Sequence, residues 1–372
     1  MSATAGAASL LSDVAAKLRQ ELSEIEFGGP RGQQCAMSAL AVVLAVIVAM
    51  VLRLDAPWWA AISAFVSLQA TAPSSIARGA LRITGTAIGA TIALGLSPWL
   101  IEDAVAISLV LFAVSALGVL GFLVSPHGYA WLLGAVTVDM VLLAALGDPT
   151  STLVVACNRV AEVTVGTVAA LLVSILLARD STASSAPASR PGWNDLFGAQ
   201  WPAVQHALQA GFGVMLVPWI WNWLDLPSLS QTAVTVAAVM SVQSLSDDEA
   251  VNRQQIMTRG AHRIFGCFVG GAAGLAALAV SFESFLPWLA TLAAGVWLCA
   301  HVQNSSRGIG YVGIQAAVVF IIMMIQQWGP PTGLAAGIER FVGITGGLFV
   351  ITAVSLASLF PGPSSARTDR PR

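Results

Sequence analysis

The sequence predicts an all-α integral membrane protein of about twelve transmembrane helices, arranged as two parallel six-helix repeats. Three observations predict it. Hydrophobic residues make up 56% of the chain and charged residues only 10%, whereas a soluble domain carries about a quarter charged residues. Apolar runs of about 17 to 25 residues, long enough to cross a bilayer as helices, recur along most of the length. Finally, RGALRITGTAIGA from Arg78 to Ala90 is echoed by RGAHRIFGCFVGG from Arg259 to Gly271, a shift of 181 residues. A second pair keeps that shift: Asn158-Arg159 with Thr164 and Gly166 matches Glu339-Arg340 with Thr345 and Gly347. A duplicated hydrophobic chain that keeps arginines in both copies points to membrane transport.

Residues 1–33 form a cytoplasmic amphipathic segment. Leu11, Val14, Leu18, Leu22 and Ile25 share one helical stripe. That helix either lies on the membrane surface or packs on the protein's own cytoplasmic face. The first repeat, residues 34–179, holds predicted spans at 35–52, 57–72, 80–98, 104–124, 129–147 and 152–178. Residues 180–203 read as a Ser/Ala/Pro linker. The second repeat, 204–360, holds spans at 204–223, 228–245, 260–281, 286–303, 308–327 and 331–359. Residues 361–372 have the composition of a disordered tail.

Orientation follows from the basic residues. With both termini cytoplasmic, only Arg53, Arg159 and Arg340 of the 17 Lys and Arg fall toward the outside, a strong positive-inside bias. An even number of spans per half then gives both halves the same orientation. The N-terminus lacks the layout of a cleaved signal. The expected location is the bacterial inner membrane.

Composition also excludes functions. With 17 basic and 19 acidic residues there is no broad basic face for nucleic acid. Cys35, Cys157, Cys267 and Cys299 are scattered in apolar runs, and the four histidines form no ligand spacing. No metal, no cofactor and no enzymatic motif is expected. Most of the 12 tryptophans fall near predicted span ends as interface anchors. Trp131 and Trp297 belong either to the opposite aromatic belt or to a pocket.

The candidate site residues are charges inside hydrophobic sequence. Arg78, Arg82, Gly85 and Gly89 are spaced to share one helix face, as are Arg259, Arg263, Gly266 and Gly270. The glycines let another helix approach closely. The arginines either gather anions at the inner mouth of a pathway, or anchor the cytoplasmic side and pair with Asp247, Asp248 and Glu249. Arg159 lies about 10 Å into its helix at 1.5 Å per residue, and Arg340 holds the equivalent place in the last span. A charge at that depth costs about 2.5 kcal/mol unless paired or wet. Glu162, three residues on, can pair with Arg159. The functional reading has Arg159 and Arg340 holding a substrate carboxylate, with Glu162 modulating the first; the structural one has them snorkel or lock helices. Asp139, in mid-span, is a candidate for proton coupling or a counter-ion for Arg159; a uniform shift of 181 sets Phe320 opposite it.

These residues carry a resemblance. Asp55-Ala56-Pro57-Trp58-Trp59-Ala60, then Gln69, Arg78 and Arg82-Ile83-Thr84-Gly85-Thr86 with Gly89, resemble the fusaric acid resistance family. That group stands with the aromatic acid exporters and is distantly similar to plant aluminium-activated malate transporters. The second half repeats a weaker form in Leu226-Pro227, Gln243, Arg259, Arg263, Gly266 and Gly270. The resemblance implies export of aromatic or other organic carboxylates across the inner membrane, driven by the proton gradient. Its larger members carry a soluble domain after each membrane half; here those places hold only residues 180–203 and 361–372. The expected partners are the lipid bilayer, an organic anion, and periplasmic efflux components or a second copy. The alternatives are a passive organic-anion channel and a non-transporting scaffold of an envelope complex.

Overall fold

The computed structural model describes residues 2–100, 103–177, 192–224 apart from 195 and 199, 233–237, 249–279, 284–326 and isolated positions between 329 and 350. Every regular element among them is helical. The first half comprises α1 (Ser2–Ser23), α2 (Gly29–Val51), α3 (Pro57–Ser67), α4 (Ala72–Leu100), α5 (Ala104–Val124), α6 (Gly128–Gly147) and α7 (Thr152–Leu177). The second comprises α8 (Trp201–Met215), α9 (Val217–Leu224), α10 (Glu249–Leu278), α11 (Phe285–Gln303) and α12 (Gly310–Met324).

Helices α2, α4, α5, α6, α7, α10 and α11 are long and apolar enough to cross a membrane, so this is a multi-pass membrane protein. Their outward faces carry Ile88, Leu109, Leu117, Leu172 and Phe268, all exposed, as lipid-facing positions must be. Local signals set the ends. Pro30 and Pro57 open α2 and α3 within the first two positions, where a missing N–H costs nothing. Asp103 caps α5 by accepting from Val105 N–H and Ala106 N–H at 2.9 and 3.0 Å. Asp148 caps the turn before α7; hydrogen bonds from the Thr150 hydroxyl and N–H hold its carboxyl below the usual range.

Three predicted spans are corrected. The helix expected over 57–72 stops at Ser67. The chain then runs non-helically to Thr71, and α4 starts at Ala72, eight residues before the predicted position. At 1.5 Å per residue α3 is about 16 Å long, roughly half of a hydrocarbon core. The start of α4 is set by Thr71, whose hydroxyl takes the Ser74 N–H at 3.4 Å, with Pro73 in the first turn. The span expected over 204–223 is broken at Leu216 into α8 and α9, beside Pro218, which cannot continue the backbone ladder. Of the span expected over 228–245, only 233–237 are described. Most of the twelfth span, 331–359, lies outside the described residues, as do most of the linker and the whole tail.

Within the halves, α4 packs on α6 and α7, α3 on α2 and α7, and α10 and α11 on α12. Between them, α2 lies against α11 and α5 against α8. Each contact joins the leading spanning helix of one half to the fourth predicted span of the other. The main core, from Val42, Ala45 and Phe65 to Leu292, Phe320 and Ile321, is built across that seam.

Helix α1 packs on the protein itself, which decides between its two expected placements. Val14 and Leu18 are buried against Val302, Ile309 and Val312. Beside them Glu21, wholly out of solvent, accepts from Arg31, Arg307 and, at 2.6 Å, the Ser305 hydroxyl. Burial would raise the Glu21 carboxyl, but hydrogen bonds from Ser305, Arg31 and Arg307 outweigh it and hold it below its ordinary value of 4.5. Phe27 stacks on Trp297 with ring centroids 5.2 Å apart, and Trp131 meets Trp193 at 5.4 Å; both tryptophans therefore make aromatic contacts.

Candidate functional site

The short helix α3 organises three arginines. Trp59, Ser63 and Val66 are spaced i, i+4 and i+7, so they share one face. The Arg159 guanidinium lies 3.5 Å from the Trp59 ring centroid. Arg82 donates from Nη2 to Ser63 Oγ at 3.1 Å and from Nη1 to the Tyr129 hydroxyl at 2.7 Å. Arg78 donates from Nε to Val66 O at 3.0 Å, and its guanidinium sits 4.3 Å from the Tyr129 ring centroid. Three cations thus stand along about 10 Å of one helix, at 1.5 Å per residue. Small residues make the approach feasible. Gly166 of α7 abuts Ala60 O of α3 so closely that a Cβ would clash, and a Cβ at Gly85 of α4 would lie 2.5 Å from Ala130 O of α6. Arg78 also caps the carbonyl end of α3, where a cation suits the helix dipole.

The ladder is short of counter-charge. Arg82 is 5% exposed and Arg159 7%. Among the described residues, Arg82 Nε and Arg159 Nε and Nη1 have no hydrogen-bond partner. Glu162, 2% exposed, does not close the pair expected from its i+3 spacing. It accepts from Ala56 N–H at 2.8 Å instead, and acts on Arg159 only through space. The reason is geometric: Trp59 draws the guanidinium toward α3, and the open N–H at the start of α3 draws the carboxylate. Among the described residues, Glu162 and, nearer the surface, Asp55 are the carboxylates beside these three guanidiniums. Asp139 is 1% exposed. It accepts from the Ser115 hydroxyl of α5 at 2.7 Å through Oδ2 and, among the described residues, has no partner on Oδ1. Its partner is therefore on α5, and the counter-ion role toward Arg159 is not what the structure shows.

The second half repeats the inner part of this arrangement. Arg263, 5% exposed, donates to Thr235 Oγ1 at 3.0 Å, to Gln315 Oε1 at 2.8 Å and to the Tyr311 hydroxyl at 3.5 Å. The Arg259 guanidinium lies 4.2 Å from the Tyr311 ring centroid. A Cβ at Gly266 would lie 2.6 Å from Val312 O, matching Gly85 on Ala130. Gly270 abuts Ala316 O as Gly89 abuts Gly134 O. Ala130 to Val312, Gly134 to Ala316 and Tyr129 to Tyr311 are all shifts of 182 residues, so α12 has slipped by one relative to the 181 of α10. Ile321, and not Phe320, is therefore the counterpart of Asp139. Arg340, Glu339, Asp247 and Asp248 lie outside the described residues.

The two tyrosines were not singled out by the sequence reasoning. The chain holds only two, and each serves an arginine pair. Their scarcity and near-equal spacing were the available signals, hidden by the one-residue slip.

Residues 35–198 match the description of the Fusaric acid resistance protein family. No curated protein and no solved structure matches the chain. The matched stretch contains α2 to α7 and all three rungs of the first ladder, and it supports a role in membrane transport or efflux. Over residues 35–198, somewhat under half of its length, the chain is similar to the fusaric acid resistance protein family.

Proposed function

We propose that the protein is an inner-membrane secondary transporter that exports organic, chiefly aromatic, carboxylates. The observation that carries this is Arg159, buried, stacked on Trp59 and with two nitrogens unpartnered among the described residues. A guanidinium in that state presents a fork of donors matched to a carboxylate. Glu162 tunes the charge of this site without neutralising it. Arg78 and Arg82, with Arg259 and Arg263, draw anions from the cytoplasmic side. Arg340 takes in the second half the place of Arg159 in the first. Asp139 is the candidate for proton coupling.

Two parallel six-span repeats, with both termini cytoplasmic, are the architecture that fits this reading. The recurrent arginine–tyrosine clips and the reciprocal seams of α2 with α11 and α5 with α8 support it.

Reconstitution into liposomes, with benzoate, succinate and chloride inside and with or without a pH gradient, tests the proposal. Benzoate efflux that needs the gradient, and is lost in Arg159→Gln and in Arg340→Gln, supports export. Flux that reverses at the Nernst potential with no dependence on protons selects a channel. No flux of any anion selects the scaffold.

A further inference from the structure

We propose that Tyr129 and Tyr311 are positioning residues of the anion path, and that the two halves depend on them unequally. This rests on the anion-transport reading above. Each tyrosine does two things at once. Its ring supports the outer arginine of a pair, Arg78 or Arg259, at 4.3 or 4.2 Å. Its hydroxyl faces the inner arginine, Arg82 or Arg263. A guanidinium has no acceptor of its own and five donors to place, so its direction inside a low-dielectric bundle is set by the acceptors around it. The phenol oxygen is one such acceptor, and it fixes the spacing of the two cations in each pair.

The halves differ in what else holds the inner arginine. Among the described residues Arg82 has two hydroxyl partners, Tyr129 at 2.7 Å and Ser63 at 3.1 Å. Arg263 has Thr235 at 3.0 Å and the Gln315 amide oxygen at 2.8 Å, with Tyr311 withdrawn to 3.5 Å. The shift of 182 residues that relates Tyr129 to Tyr311 sets Leu133 in the place of Gln315. In the first half, then, the tyrosine hydroxyl is half of the hold on the arginine. In the second, the glutamine has taken over that hold and the tyrosine chiefly supports Arg259.

Swapping phenol for phenyl separates these roles, because Phe keeps the ring and removes only the hydroxyl. In liposomes loaded with benzoate, succinate and chloride as probe anions, Tyr129→Phe should raise the half-saturation concentration of whichever probe the wild type moves by at least about tenfold, the usual scale for a lost hydrogen bond to a charge. The maximal rate should stay near that of the wild type. Tyr311→Phe should change half-saturation less than about threefold, since the Gln315 bond is retained; Tyr311→Phe with Gln315→Leu should reproduce the Tyr129→Phe effect. Adding Leu133→Gln to Tyr129→Phe should restore tight half-saturation by supplying the anchor that the second half uses. A merely structural tyrosine would show its effect in thermal unfolding and would not be rescued at position 133. Equal effects of the two single variants, no effect of Tyr129→Phe, failure of the Leu133→Gln rescue, or loss of folded protein in Tyr129→Phe each overturns the assignment while leaving anion transport standing. A wild-type protein that moves none of the probes sinks the transport reading and this inference together.

Discussion

Replacing Arg159 by Met, together with Glu162 by Gln, should make the protein more stable and inactive. Arg159 is 7% exposed and Glu162 2%, and the two do not close an ion pair. On the debit side stand the guanidinium's insertion, about 2.5 kcal/mol at mid-span, and its two unpartnered nitrogens, at about 1 kcal/mol each or more. On the credit side stands the stack on Trp59 at 3.5 Å, worth about 2 kcal/mol when desolvated. The balance favours the neutral pair by roughly 2 kcal/mol. Glu162→Gln keeps an oxygen for Ala56 N–H, so the cap on α3 survives. Thermal unfolding of the wild type, both single variants and the double variant in detergent forms a complete mutant cycle. The expected result is a higher Tm for the double variant and no benzoate efflux. A double variant less stable than the wild type by about 2 kcal/mol would mean that Arg159 locks helices, and the argument for a substrate-binding arginine would fall.

Other expectations follow from the packing and the charges. Gly85→Leu or Gly266→Leu places a branched side chain against a carbonyl already 2.5 or 2.6 Å from a Cβ, and should cost about 1–3 kcal/mol by overpacking; thermal unfolding should show a lowered Tm, and an unchanged one would refute the close contact. Glu21→Gln should loosen α1, seen as faster proteolysis before Gly28 with the membrane core intact. The same release should occur in acid. The Glu21 carboxyl is held below 4.5 in the folded protein, so its stabilisation is complete above that value and is lost as pH falls through the lower folded value; α1 release that instead begins on raising the pH would contradict this. Asp139→Asn should leave benzoate binding in place and remove the pH-gradient dependence of its efflux; full dependence in the variant would remove Asp139 from coupling.

Much of the membrane character could be read from apolar runs, and five predicted spans, 35–52, 104–124, 129–147, 152–178 and 286–303, coincide closely with α2, α5, α6, α7 and α11. The break after Ser67 was harder to see, because hydropathy stays high through Val66 and Leu68 while the decisive signal, Thr71 followed by Pro73, is a local capping device. Arg159 was identified from charge in an apolar run. Its partner was misjudged, since the i+3 spacing to Glu162 says nothing about Trp59 on another helix. The glycines of the repeated track were expected to permit close approach, and they do; the tyrosines across from them lay outside the compared motif. Tertiary neighbours, and not local pattern, decide where a buried guanidinium points.

The half-length of α3 has a mechanical consequence. Its last carbonyls end inside the helix bundle, and Val66 O is met by Arg78 from α4 and by the Gln69 amide at 3.4 Å. Pulling α3 away from α4 would strand those carbonyls and the guanidinium together. The pair must travel as one piece, and α7, locked to α3 through Gly166 and Ala60, travels with it. That unit also packs on α12 of the other half, beside the seam where α2 meets α11.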